Sequence, residues 1–296
     1  MGAKLRVVRR RVRGVQSTMK ITRAMELIAA SRIVKAQQRV LDARPYADLL
    51  TRALEDVARQ TGSIEHPLLE ERAHPERAGV LVLTSDRGLA GSFSANLLKR
   101  SEGLIRRVRS SGLEPVIYVS GKKGIGYFRF RGIPTEASWS GFSEVPTYAA
   151  AEEIGERLIH DYGERRVDAL HTVYTDFRTS FTFRATDQRF LPIAPEEMGR
   201  PEGDPAAEYE FEPEPAELLH ELLPQYVITK IFFAMLESAA AENAARQRAM
   251  AAATDNAEEL IKVLTRQANR ARQDEITTEI MEIVGGAEAL TKSSRE

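Results

Sequence analysis

Cysteine is absent from the 296-residue sequence, and so is any long hydrophobic run. The absence of cysteine excludes disulfide bonds, catalytic thiolates, zinc sites with thiolate ligands and thiol-based redox switches. No segment approaches the roughly 18 consecutive apolar residues of a membrane-spanning helix, and the N-terminus lacks the apolar core of a secretory signal. We therefore expect the chain to stay on the cytoplasmic side of the membrane.

A net excess of charge is also missing, because 42 basic residues balance 43 acidic residues and the formal net charge is −1. The chain as a whole therefore has no field that would draw it to nucleic acid or to an acidic membrane. Basic residues are nevertheless concentrated at one end. Six of them, and no acidic residue, occupy the first thirteen positions: Lys4, Arg6, Arg9, Arg10, Arg11 and Arg13. Three interpretations stay open, namely a solvated helix face, a coiled-coil nucleic-acid-binding protein, and a surface that docks an acidic protein partner.

Motifs for catalysis or cofactor binding are lacking as well. The phosphate-binding pattern G-x-x-x-x-G-K-[ST] is absent, and residues 121–126 do not fit the dinucleotide pattern G-x-G-x-x-G. An S-x-x-K pattern at residues 17–20 has no companion K-T-G element. The histidines at 66, 74, 160, 171 and 220 form no pair with metal-binding spacing. The sequence predicts no catalytic residue, no metal site and no cofactor.

The sequence does contain two long helical arms, one at each end. In the first arm, alternate steps of three and four residues from Leu5 to Val57 meet an apolar side chain everywhere except at Thr22 and Glu26, as in a coiled coil. Pro45 lies inside this arm and predicts a kink or a local break. The stepped positions are Leu5, Val8, Val12, Val15, Met19, Thr22, Glu26, Ala29, Ile33, Ala36, Val40, Ala43, Ala47, Leu50, Leu54 and Val57.

The second arm, at about residues 216–290, follows the same spacing less evenly, and Pro224 interrupts its start. Between its two apolar stretches, residues 265–275 are polar apart from Ala268 and Ala271. Two imperfect seams of similar length predict that the arms pack on each other in antiparallel fashion. The apolar positions are Ala253, Ala257, Leu260 and Leu264, then Ile276, Ile280, Ile283, Ala287 and Leu290.

Residues 21–30 are apolar on more than one side of the first helix, which predicts burial. Residues 280–290 have the same character. If the arms pair, the two segments would form one smooth tip, whereas burial against the chain's own middle region is the competing interpretation.

The middle of the chain alternates strands and helices. Strands are predicted over residues 78–84, 116–120, 168–176 and 182–193, with a helix from 93 to 109 and another over 147–162. A strand, a glycine turn, a helix and a further strand are typical of a parallel βαβ sheet, here of Rossmann-like type. The glycine turns leave a nucleotide-binding α/β enzyme as an alternative. The predicted divisions are an N-terminal coiled-coil helix (1–62), a central α/β domain (77–212) and a C-terminal coiled-coil helix (213–296).

Several short motifs resemble those of one known family, the γ subunit of F-type ATP synthase. They occur in order along essentially the whole chain, and those near the termini are the most specific. The matching stretches run from Val-Gln-Ser-Thr at 15–18 to Ala-Gln at 36–37, and include Arg-Pro-Tyr-Ala (44–47), Thr-Ser-Asp-Arg-Gly-Leu (84–89), Ala-Thr-Asp-Asn-Ala (253–257), Ala-Arg-Gln (271–273) and Glu-Ile-Val-Gly-Gly-Ala (282–287).

The resemblance implies an α/β fold with a long antiparallel coiled coil of the terminal helices, which serves as a non-catalytic rotor stalk. Its implied partners are three α and three β subunits, the ε subunit and the membrane c-ring, at the cytoplasmic face of the plasma membrane. Catalysis would belong to the β subunits. The implied sites are contacts to the α/β ring at Lys20, Arg23, Leu27, Arg87, Arg272 and Gln273, a bearing tip at Ile280, Ile283, Val284, Ala287 and Leu290, and a foot on the c-ring at Phe211 and Glu212.

Overall fold

The computed structural model describes residues 3–61, 66–179, 182–194 and 214–293. Its contacts divide the chain into two compact units, which we call the helical unit (1–28 and 247–296) and the α/β unit (29–246). No helix in the described ranges is long and apolar enough to cross a membrane. The elements are α1 (Ala3–Thr61), β1 (Arg77–Leu83), α2 (Phe93–Ser110), β2 (Glu114–Ser120), α3 (Lys122–Phe130), β3 (Ala137–Trp139), α4 (Tyr148–Gly163), β4 (Ala169–Phe177), β5 (Phe183–Leu191) and α5 (Pro215–Ser293).

The helical unit is an antiparallel pair formed by the start of α1 and the second half of α5, as predicted. Leu5 packs with Ala268 and Ala271, whereas further along α1 the hydroxyl of Thr22 lies 2.9 Å from that of Thr254. Thr22, one of the two polar positions in the predicted seam, is therefore inside the helix interface. Every predicted seam position of α1 is buried or half-buried, which confirms the period of three and four.

The predicted seam of the second arm is only partly right. The buried stripe of α5 in the helical unit consists of Met250, Thr254, Ala257, Leu264, Ala268 and Ala271. Leu260, which the prediction placed in the seam, is 46% exposed. The predicted seam and the buried stripe share positions 257 and 264. Alternate steps of four and three residues from Met250 reach position 261 between them, so the side chain at 260 points outward.

The two apolar segments do not form one tip. Thr22 lies opposite Thr254, which is 26 residues before Ile280, or about 40 Å along α5. Ile21, Leu27 and Ile28 are 58%, 60% and 54% exposed, so the chain itself does not bury these three side chains of residues 21–30. Farther along α5, beyond Ala271, the described apolar side chains of Ile276, Ile280, Met281, Ile283 and Val284 are exposed as well.

The α/β unit contains one five-stranded sheet with the strand order β3-β2-β1-β4-β5. The strands β1, β2 and β4 are parallel, as predicted, and so is β3, which was not predicted. The strand β5 is instead antiparallel to β4, with Thr172 opposite Gln188. Only residues 178–182 separate these two strands. Such a short connection permits a hairpin, whereas a parallel partner needs a long crossover, so the spacing in the sequence already contained this signal.

Helices cover both faces of the sheet. Alternate residues of β1 point to opposite sides, so that Leu81 and Leu83 join one core cluster while Val80 and Val82 join the other. The first cluster includes residues of α4, of α5 and of the end of α1, and the second includes residues of α2 and α3. The two long helices are thus part of the core of the α/β unit.

Helix α3 was not predicted, because its glycines were interpreted as a turn. Gly121 has φ +103, and a Cβ on it would lie 2.2 Å from the carbonyl oxygen of Thr84. The backbone N–H of Gly124 donates to the Thr84 hydroxyl at 2.9 Å. The two glycines therefore allow α3 to begin directly against the end of β1.

The two prolines do not interrupt their helices. Pro45 and Pro224 both lie within continuous helices, so a break at Pro45 and the interruption at Pro224 are both wrong, whereas a kink at Pro45 stays a prediction. A proline removes one backbone hydrogen bond at a cost of about 3 kcal/mol. Apolar packing of the same helices offsets this cost, since Leu54 of α1 and Leu223 of α5 belong to one core cluster.

Candidate functional site

The first group of predicted contact residues lies in the helical unit. Lys20, Arg23 and Leu27 are exposed on α1, and Arg23 pairs with Glu26 of the same helix at 3.1 Å. Arg272 and Gln273 are exposed on α5, directly after the buried Ala271. Residues 265–275 therefore combine a small-residue interface with a polar outer face, which explains why they interrupt the apolar pattern.

A cationic groove lies beside these residues, between the start of α1 and α5. Its cavity of about 590 Å³ is lined by Arg6, Arg9, Arg10, Val12, Arg13, Thr265, Ala268 and Asn269. Four guanidinium groups and no carboxylate line this groove. Such a surface attracts acidic groups strongly and repels basic ones.

The predicted bearing tip is a solvated helix end with apolar side chains. Ile280, Ile283 and Val284 are 54%, 72% and 56% exposed, and Ala287 is exposed too. The side chain of Leu290 lies outside the described residues, as do Phe211 and Glu212 entirely. A run of exposed aliphatic side chains on one helix indicates a surface that another molecule covers.

The remaining predicted contact, Arg87, lies in the α/β unit on the loop after β1. Asp86 fixes this loop through hydrogen bonds to backbone N–H groups. One carboxylate oxygen accepts from Gly141 at 2.8 Å and from Ser143 at 3.1 Å, and the other accepts from Lys122 at 3.1 Å. A carboxylate that accepts three backbone hydrogen bonds ties three separate segments together.

Beneath the loop lies a buried ion cluster that the sequence did not predict. Arg246, which is 6% exposed, pairs with Glu242 at 2.6 Å and with Glu144 at 3.2 Å, and it donates to the carbonyl of Gly88 at 3.4 Å. Burial raises the pKa of the Glu242 carboxyl, whereas its hydrogen bond with Arg246 opposes that rise. The only sequence signal was a charged pair four residues apart inside an alanine-rich run.

Glu144 also reaches the surface. The guanidinium groups of Arg32 and Arg87 both approach its second oxygen, the latter at 3.6 Å. With Arg246, three guanidinium groups therefore share two carboxylates, those of Glu144 and Glu242. The excess positive charge lies at Arg87, whose side chain is 65% exposed.

The crevice at the carboxyl ends of the strands is closed. Doubly wound sheets bind nucleotides there, at the point where the strand order reverses. In this chain the strand order reverses between β1 and β4, and α5 occupies the crevice at that point. Ser238 of α5 accepts a hydrogen bond from the N–H of Thr175 on β4 at 3.0 Å. The cavity beside Glu242 measures about 20 Å³, room for about one water molecule. This geometry counts against the nucleotide-binding alternative.

The described residues contain no group of three or more histidine, aspartate or glutamate side chains arranged to hold a metal ion. The nearest approach is a histidine pair. Nε2 of His66 lies 3.3 Å from Nδ1 of His220, while Nδ1 of His66 accepts from the N–H of Leu68 at 3.2 Å. Burial, followed by the neighbouring His220, lowers the pKa of His66. The two rings thus form a hydrogen-bonded contact, and burial disfavours the charged form of His66.

The pattern of the ATP synthase family matches residues 4–290. The ATP synthase gamma chain of Acidothermus cellulolyticus is 53% identical to this chain, over 100% of both chains. That of Frankia casuarinae is 52% identical, over 99% of this chain and 100% of the relative. The fold is similar to that of a chain in the Euglena gracilis mitochondrial ATP synthase, with a TM-score of 0.67 and 14% identity, over 100% of this chain and 97% of that one.

A chain in the central stalk and c-ring structure of the Tetrahymena thermophila mitochondrial ATP synthase gives a TM-score of 0.61 at 21% identity, over 79% of this chain and 99% of that one. At such identities the two structures establish the fold alone. The sequence relatives establish more, because they are about half identical over their full lengths. The chain therefore belongs to the ATP synthase gamma chain family.

Proposed function

We propose that this chain is the central rotor stalk of an F-type ATP synthase, which couples rotation of the membrane ring to ATP synthesis and hydrolysis. The observation that carries the proposal is the full-length identity of 53% to an ATP synthase gamma chain. The architecture supports it, because α1 and α5 form an antiparallel pair in the helical unit, and both helices also contribute residues to the core of the α/β unit. The chain itself is non-catalytic, and the catalytic sites lie on partner β subunits.

The ring of three α and three β subunits would contact two surfaces. In the helical unit these are the exposed Lys20, Arg23, Leu27, Arg272 and Gln273, together with the cationic groove, which favours acidic partner segments. In the α/β unit the contact is Arg87. Contacts of different strength to different β subunits would bias each β subunit toward a different conformation. This bias would couple rotation of the stalk to the catalytic steps on the β subunits.

The exposed aliphatic end of α5 would act as the bearing tip. Ile280, Ile283, Val284 and Ala287, followed by Leu290, would turn inside an apolar sleeve of the ring. Apolar contacts are non-directional, so they resist rotation less than fixed hydrogen bonds do.

The other end of the stalk would bind the ε subunit and the c-ring, with Phe211 and Glu212 as the contact to the c-ring. The chain would therefore be a peripheral protein at the cytoplasmic face of the plasma membrane. The division into an N-terminal helix, a central domain and a C-terminal helix stays a prediction about how these roles are distributed.

Reconstitution tests the proposal. The chain is mixed with α and β subunits from the same genome, and assembly and ATP hydrolysis are measured. We expect a stable complex whose ATPase activity falls with Arg272→Ala and changes little with Arg266→Ala, an exposed arginine of the same helix. Failure to assemble would contradict the proposed function, whereas full activity of the Arg272→Ala complex would contradict only that contact.

A further inference from the structure

One edge of the sheet in the α/β unit is strongly basic, although the chain as a whole is nearly neutral. The helices α2 and α3 both end at this edge, just before the strands β2 and β3 begin. We call the two helix ends, residues 106–109 and 129–131, the basic edge. It contains five exposed arginines, namely Arg106, Arg107, Arg109, Arg129 and Arg131. Among the residues that the structure describes, only Arg107 and Arg131 of these five pair with a carboxylate, so the edge has an excess of positive charge.

The two helix ends form one continuous surface. Glu102 of α2 accepts a hydrogen bond from the guanidinium of Arg131 at 3.2 Å, which ties the end of α3 to α2. Arg106 lies four residues after Glu102, so the two side chains share one face of α2. Arg109 lines a cavity of about 440 Å³ together with Ile133, which follows α3. The arginines of both helices therefore lie side by side.

An aromatic side chain protrudes from the same surface. Phe130 lies between Arg129 and Arg131 and is 88% exposed, the highest exposure of any large apolar side chain in the described ranges. Basic residues at the end of a helix interact favourably with the helix dipole, which accounts for arginines there. It does not account for a phenylalanine ring in water. Aromatic rings flanked by basic residues are typical of surfaces that lie on an anionic membrane, where the ring enters the headgroup region and the cations bind phosphates.

The basic edge lies at the opposite end of the strands from Arg87. Arg87 follows the carboxyl end of β1, whereas Arg109 precedes the amino end of β2, which runs parallel to β1. The seven residues of β1 separate the two edges by roughly 20 Å. Because the proposed function turns Arg87 toward the ring of α and β subunits, the basic edge faces away from that ring, toward the membrane.

We propose that the basic edge binds the anionic lipid headgroups of the membrane directly, with Arg106, Arg109 and Arg129 on lipid phosphates and the ring of Phe130 in the interface. The orientation rests on the proposed function, and the inference adds to it a contact with lipid that does not pass through the c-ring. A bilayer fits this surface better than an acidic protein held outside the rotor does. A fluid bilayer lets the contact slide as the stalk turns, whereas a stationary protein would hold it at one angle.

Fluorescence from position 130 tests the contact directly. Trp139 is the only tryptophan of the chain, so Trp139→Phe combined with Phe130→Trp gives a full chain whose tryptophan signal comes from the basic edge alone. The vesicles contain equal amounts of phosphatidylcholine and phosphatidylglycerol, with bromine on the acyl chains as a quencher. We expect the emission to shift to shorter wavelength and to be quenched at low salt, and to stay unchanged with vesicles of phosphatidylcholine alone.

A matched control places the reporter at the opposite edge of the sheet. Leu89 lies in the loop after β1 and is 60% exposed, so Trp139→Phe combined with Leu89→Trp reports from the edge that carries Arg87. We expect no quenching at this position, because the inference places only the basic edge in the lipid. Cosedimentation with the same vesicles shows in each case how much of the chain is bound.

Charge variants test the arginines without any change of tryptophan. Arg109→Gln and Arg129→Gln should each weaken the affinity for the phosphatidylglycerol vesicles about fivefold at low salt, and less as salt is added. Arg178→Gln is the control, because it removes the same charge from a 76% exposed side chain after the carboxyl end of β4. We expect it to bind like the unmodified chain.

The outcomes separate this inference from the stalk function. A chain that ignores the phosphatidylglycerol vesicles overturns the inference, and so does a chain that sediments with them while the tryptophan at position 130 is not quenched, because it binds through another surface. If Arg109→Gln and Arg129→Gln weaken assembly with the partner subunits but not vesicle binding, the edge belongs to an acidic protein and the inference is also overturned. None of these results depends on the ring of α and β subunits, whose reconstitution tests the stalk function by itself. Quenching at position 130, with weaker binding of both arginine variants, is the result that the inference predicts.

Discussion

Substitution of Gly155 by alanine tests how tightly the α/β unit holds α5. Gly155 lies inside α4, where a Cβ would come 2.6 Å from Cγ1 of Ile228 on α5. Carbon atoms pack at about 3.5–4.0 Å, so one of the helices must move by about 1 Å. Such overpacking costs about 1–3 kcal/mol, and the better helix propensity of alanine returns about 1 kcal/mol. We expect a net loss of about 1 kcal/mol, which lowers the thermal midpoint by about 2–4 °C.

Calorimetry of the full chain measures this shift. Gly126→Ala is the control, because Gly126 lies inside α3 with no atom within 4 Å of the added Cβ, so this change should raise the midpoint. Ile228→Ala should cost less in the Gly155→Ala background than alone, since the two side chains compete for one space. A Gly155→Ala chain as stabilised as the control would refute close packing of α4 on α5.

Three further changes address buried polar groups. Burial, followed by repulsion from Asp176, raises the pKa of Glu237 from 4.5 to about 7, so its ionisation opposes folding and stability is lost as the pH rises through this window. At pH 8, urea unfolding should therefore show Glu237→Gln to be more stable than the unmodified chain by about 1–2 kcal/mol. The two chains should be equally stable at about pH 4, below the unfolded pKa of 4.5. Because the pKa of His66 is lowered below 6.5, stability should fall as the pH drops below that value, and His66→Gln should flatten this part of the stability curve. The buried hydroxyls of Thr22 and Thr254 bond each other or their own helix carbonyls, so the double change to valine should shift the thermal midpoint of the coiled coil little, whereas Thr22→Ala should lower it.

The first arm was predictable because its apolar spacing is regular and its partner helix is long. Thr22 looked like a flaw in the pattern, yet it lies in the seam, since a second threonine faces it. The second arm was harder, because three of the six residues in its buried stripe are alanines. A small-residue stripe carries little periodic signal, so Leu260 was placed inward although the true step passes through residue 261.

The loop that carries Arg87 was found from its motif, but the buried ion cluster beneath the loop was not predicted. Arg246 is 102 residues from Glu144 in the sequence, and Arg32 is 112 residues from it on the other side. Neither propensity nor periodicity connects such distant charges. The left-handed backbone of Leu89, with φ +63, was equally hidden, because a leucine in a loop does not reveal its φ angle. Tertiary contacts decide both features.

Rotation of the assembled complex tests the central claim most directly. The chain is combined with its α and β subunits, the ring is fixed to a surface, and a probe is attached to the exposed side of the α/β unit. With ATP present, the account predicts continuous rotation of the probe in one direction, which stops when ATP is removed. A complex that assembles and hydrolyses ATP while the probe only fluctuates about a fixed angle would contradict it.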